Sequence, residues 1–206
     1  MKLQATRDLY AHWERLRGAA AAPARAAVDP VAIRPLLNDV FMLACDRTAG
    51  FPIRLAGARV CELFLNDRLK DSPFVDLFHE NDRDTVEAIL GSVSDDPTPV
   101  VAGVRAGPGG REPLDLELLV LPLGPLHTPQ ARILGSLTAA HRRPWVGLMP
   151  AEPMRLVSLR VLGHAVALSP PARALDADGW ATLPLRELGR NRGMTVRRPN
   201  LTLYNG

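Results

Sequence analysis

The sequence predicts an α+β fold: a single antiparallel β-sheet of about five strands, short helices packed on one of its faces, and an amphipathic helix ahead of them. Two observations lead there. The strand-like runs fall into two groups, two before and three after a helical stretch, whereas a parallel doubly wound sheet would alternate strand and helix. The first two runs of the later group are joined by Gly107, Pro108, Gly109 and Gly110, the backbone freedom a hairpin turn needs.

The elements follow in order. Over residues 6–18 Leu9, Trp13 and Leu16 recur at helical spacing with Tyr10 beside the stripe, and Gly18 stops the helix. An alanine-rich connector with Pro23 leads to a turn or short helix over residues 29–37. Residues 40–44 and 51–56 form a hairpin across a turn-like 46–50. Residues 58–64 are helical, with Val60, Leu63 and Phe64 on one face. The longest helix after the first begins near Asp82, where Val86, Ile89, Leu90 and Val93 mark one face and acidic residues suit the helix start. Strands follow over 100–105, 114–121 and 132–139. Beyond Pro144 the pattern weakens, leaving a further strand over 154–162, a helical turn over 185–189 and a terminal strand over 201–204 as expectations.

Composition narrows the function. The chain has 206 residues, 47% hydrophobic and 23% charged, and no apolar run approaches the roughly 20 residues a membrane-spanning helix needs. Residues 1–10 hold no apolar signal region, so a cytoplasmic protein is expected. Lys2 and Lys70 are the only lysines, so 23 of the 25 basic residues are arginines. The basic excess belongs to the last third: from Arg142 onward ten arginines face four acids. Arg142-Arg143, Arg190 with Arg192, and Arg197-Arg198 are suitable phosphate partners, which makes nucleic-acid binding through this segment the alternative function. Against it, prolines and apolar runs separate these arginines, and no recognition helix is evident.

The order of elements and several local motifs resemble the PAS domain. Phe78-His79-Glu80-Asn81-Asp82-Arg83, leading into Val86 and Leu90, is similar to the family's His-Pro-Asp-Asp-Arg entry to its long helix, with Glu80 where proline is common. Leu63-Phe64, then Leu69 through Phe78, is similar to its Leu-Phe-Gly, Leu-x-Gly, Phe-x-Asp-Leu run, with Leu65 and Asp71 where glycines are usual. The resemblance covers residues 28–142, which divides the chain into an N-terminal helix and connector (1–27), a PAS-like domain (28–142) and a basic extension (143–206). As a whole it resembles bacterial single-domain PAS proteins without an attached kinase or output domain. This implies a regulatory or sensory role in signal transduction, with signalling proteins such as kinases or response regulators as partners and a homodimer as the expected assembly.

Catalytic chemistry has little support, and no enzyme is expected. Cys45 and Cys61 form no CxxC pair, the five histidines show no metal spacing, and no Gly-x-Ser-x-Gly elbow is present. PAS relatives that photobond flavin carry an Asn-Cys-Arg-Phe-Leu-Gln segment, where this chain has Arg59-Val60-Cys61-Glu62-Leu63-Phe64, so a buried small side chain is the expected role of Cys61. A haem ligand at His79 competes with a turn or helix cap at the same place, and the cap is preferred; Asp82 is read as an N-cap. Gly107–Gly110 lacks a following Lys-Ser/Thr and reads as a hairpin turn rather than a phosphate loop. No motif implies a cofactor. Two features carry functional expectations. Cys61, Phe64, Phe78, Ile89, Val104 and Leu118 line either a ligand cavity between helices and sheet or a filled core. Leu9, Tyr10, Trp13 and Leu16 present a stripe either to a second copy or partner, or to the chain's own sheet.

Overall fold

The computed structural model describes residues 1–128, 130–162 and 202–205. Its elements are α1 (Gln4–Arg17), β1 (Val40–Ala44), β2 (Ile53–Ala56), α2 (Ala58–Phe64), α3 (Glu80–Asp95), β3 (Val100–Ala106), β4 (Leu114–Leu123), β5 (Arg132–Ala139), β6 (Arg155–Val161) and β7 (Thr202–Asn205), with short 3-10 turns before β1 and before α3. The strands form one sheet in the order β2-β1-β5-β4-β3-β6-β7. The first six pair antiparallel, and β7 adds parallel to β6.

The expected five strands therefore become six antiparallel strands and a parallel seventh. The additional two are the strands expected over residues 154–162 and 201–204. Residues 155–161 satisfy the open edge of β3, whose unpaired backbone groups would otherwise face water. Gly103 lies opposite Ser158, and its N–H donates to the Ser158 hydroxyl at 3.3 Å, beside a register shift in the ladder. The helical turn expected over 185–189 lies outside the described residues.

Local chemistry explains where the elements begin and end. Gly18 closes α1 at φ 54, a backbone conformation that favours glycine. Gly57 precedes α2 where a Cβ would lie 2.2 Å from the Leu37 carbonyl oxygen, so only glycine lets the chain pass the turn before β1. The cap of α3 is His79, whose Nδ1 accepts from the Asn81 N–H at 3.3 Å. This is the cap expected at His79, while Asp82, also read as an N-cap, sits inside the first turn. Its carboxylate reaches across to accept the Leu156 N–H of β6 at 3.3 Å, because the helix begins two residues earlier than its apolar periodicity suggests.

The sheet is covered on both faces. Even-numbered residues of β4, from Leu114 to Val120, join the core formed with α2 and α3, while Leu119, Leu121 and Leu123 form a second core with Leu9 and Trp13 of α1. The β4 sequence records this change. Asp115 and Glu117 alternate with leucines in its first half, and the second half is continuously apolar where α1 lies over it. Helix α1 has no acidic residue in its first turn and no side-chain cap of its own. Glu117 of β4 takes that role, accepting the Lys2 and Leu3 N–H groups at 2.6 and 3.0 Å and placing negative charge at the positive end of the helix.

Candidate functional site

The structure brings all six expected cavity residues into one cluster. Phe78, Val104 and Leu118 are buried, and Cys61, Phe64 and Ile89 are partly buried against them. They come from α2, the turn before α3, α3 itself and the inner faces of β3 and β4.

Sequence reasoning missed Phe41 and Phe74, two further aromatic members of this cluster. Phe41 of β1 stacks on Phe74 with ring centroids 4.8 Å apart, and Phe74 meets Phe78 at 5.7 Å in a tilted arrangement. All three are fully buried. Their neighbour across the β1–β5 ladder is Gly135, where a Cβ would fall 2.2 Å from Phe41 Cζ, so the missing side chain on β5 makes the room that the Phe41 ring occupies. The available signal was the glycine inside an otherwise apolar strand, which marks a close approach.

Cys61 is not set up as a nucleophile. Its thiol points to the Ala56 carbonyl at 4.0 Å, and burial followed by Asp67 pushes its pKa up, which disfavours the thiolate. Burial raises Cys45 in the same way. The segment around Cys61, Arg59-Val60-Cys61-Glu62-Leu63-Phe64, departs from the Asn-Cys-Arg-Phe-Leu-Gln segment of the flavin-bonding relatives, and the Phe41 ring occupies the space beside Gly135. No group of three or more His, Cys, Asp or Glu side chains placed to hold a metal occurs among the described residues.

The entry motif to α3 has structural partners throughout. Besides the His79 cap and Asp82, Arg83 pairs with Asp76 at 2.8 Å and donates from Nε to the Phe78 carbonyl at 3.1 Å, tying the turn that carries Phe74 and Phe78 to the helix.

The stripe on α1 divides. Leu9 and Trp13 are buried against β4 and β5 of the same chain, with Trp13 Nε1 donating to the Pro122 carbonyl at 2.8 Å, while Tyr10 and Leu16 are half-buried. Arg17 lies over the Trp13 ring at 5.6 Å. His12 shares the buried face, and its Nε2 has no hydrogen-bond partner among the described residues. Burial lowers its pKa, Arg15 adds to that, and Asp29 opposes it. As pH falls through the ordinary imidazole range, the unfolded chain takes up a proton that the folded protein resists, so stability falls on acidification. Replacing His12 with Leu is expected to flatten that loss. Urea midpoints measured from about pH 7.5 to about 5.5 check it, and equal slopes in parent and variant refute it.

Of the arginines considered as phosphate partners, Arg142 pairs with Glu62 and Arg143 with Glu112. The pairs at 190/192 and 197/198 lie outside the described residues. No helix among the described residues is long and apolar enough to cross a membrane.

A seven-stranded sheet with a long capped helix over its inner face and a separate helix over its outer face defines an α+β domain. The family model described as PAS domain matches residues 1–138, and the chain belongs to that family. The chain is also similar to a Rhodobacter sphaeroides LOV protein, whose crystal structure shares 16% identity at a TM-score of 0.40, with 54% of this chain and 66% of that one covered. It thus spans slightly less than two thirds of that protein's length. A second similar structure is RsLOV with an Asp-to-Gly substitution, at 15% identity and a TM-score of 0.39, covering 70% of this chain and 72% of that one. Comparison with curated proteins found no match. PAS domains are generally sensory rather than catalytic, and they mediate interactions in signalling.

Proposed function

We propose that the chain is a cytoplasmic regulatory module of signal transduction that acts by contacting signalling proteins, such as kinases or response regulators, and works as a homodimer. The observation that carries this reading is the match to the PAS domain over residues 1–138, taken with an inner core held by the chain's own Phe41, Phe74 and Phe78. On this reading the module works through contacts of its outer surface. Leu9 and Trp13 are engaged with the sheet, so contact through α1 falls to the partly exposed Tyr10 and Leu16.

Affinity capture from the native cell, with the full chain as bait, tests the reading. Enrichment of a kinase or response regulator that is lost on changing Tyr10 and Leu16 together to Ser is the expected result. Capture of no signalling protein counts against the function, and capture that survives the double change moves the contact away from α1. Light scattering of the purified chain reads the dimer directly.

A further inference from the structure

The turn between β3 and β4 and the residues leading into β6 enclose a groove of about 430 Å³, within the size range of small-molecule sites. It is separate from the aromatic core. Its wall includes Arg105 of β3, Arg111 of the turn and Arg155 of β6, together with Glu152, His79 at the head of α3 and the Gly107–Gly110 backbone.

The charge arrangement here is uneconomical for stability alone. Arg105 is the register partner of Asp115 on one side and of Arg155 on the other, so one carboxylate serves a row with two guanidinium groups. Arg105 uses it, donating from Nε to Asp115 at 2.7 Å. Like charges directly opposite on neighbouring strands are destabilising. Neither Arg155 nor Arg111 has an ion pair among the described residues, and both are exposed. The N–H groups of Gly109 and Gly110 likewise donate to no described group.

We propose that this groove binds a small polyanion carrying phosphate or carboxylate groups, with Arg111 and Arg155 as its principal partners and Arg105 as support. Guanidinium groups present planar paired donors that match either group, and the unpaired turn amides add donors at the same wall. Glu152 opposes the ligand and sets a limit on affinity. The proposal does not depend on the signalling role of the outer surface.

Calorimetric titration of the full chain with pyrophosphate and, separately, with citrate tests it, at an ionic strength held constant with sodium chloride. Saturable binding of at least one probe is expected, weakened about tenfold in Arg111→Ala and in Arg155→Ala and tightened about threefold in Glu152→Gln. The stronger probe distinguishes phosphate from carboxylate as the recognised chemistry. All three variants are at exposed positions, and their circular dichroism melts should match the parent's. Absence of saturable binding of both probes up to roughly 10 mM, or affinities unchanged in both arginine variants, overturns the proposal.

Discussion

Replacing Phe41 with Ala is expected to cost about 3–5 kcal/mol, a large share of the total stability of a domain this size. The ring is fully buried, stacks on Phe74 and fills the space that Gly135 leaves open on the neighbouring strand. Its removal loses both the transfer free energy of the ring and the contacts of the atoms around it, since a central strand and a capped helix cannot close the gap by collapsing. Urea unfolding followed by circular dichroism reads the change. A loss below about 1 kcal/mol would show that the core relaxes freely and that the aromatic trio does not hold it. The same variant has a second use. If the parent core is filled, the variant cavity should take up benzene and recover part of the lost stability, while the parent should not respond.

Trp13→Ala carries an effect of similar size, about 3–5 kcal/mol, through a different part of the molecule. The indole is 1% exposed, and its N–H satisfies the Pro122 carbonyl. Truncation removes the buried area, the stacking with Tyr10 and a hydrogen bond, and exposes the apolar outer face of β4 and β5. Trp13→Phe keeps most of the burial and loses the hydrogen bond, so a loss nearer 1 kcal/mol is expected there. Limited trypsin digestion separates local from global effects. Faster cleavage at Arg15, Arg17 and Arg25 than elsewhere in Trp13→Ala places the damage at α1, and uniform cleavage would mean that α1 and the sheet unfold as one unit.

Much of this fold is readable in the residues. Residues 58–64 and 132–139 match their elements, the first through the single apolar face of Val60, Leu63 and Phe64. The α3 entry is recognisable from Phe78 to Arg83, and the cap expected at His79 is where the helix starts, whereas Asp82, also read as a cap, lies inside the first turn. Harder to read were relations that live between strands. The inner position of Phe41 depends on Gly135, 94 residues away, and neither residue announces the other. The place of residues 155–161 follows from the vacancy beside β3, which a linear pattern does not contain. The six residues expected between helices and sheet fall in one cluster because they share a face of neighbouring elements, whereas the arginine groove arises from register, where Arg105 meets Arg155 across two strands.

The bonds that seat α1 have an ordering consequence for synthesis. Its N–H groups find Glu117 across 114 and 115 residues, and its indole finds Pro122 across 109. At translation rates of about 5–20 residues per second, the first helix waits roughly 5 to 20 s after leaving the ribosome before its docking surface exists. Throughout that interval the stripe of Leu9 and Trp13 has no native partner. Helix α1 is thus made well before it can be placed, and a nascent chain stalled before β4 would present that stripe to chaperones.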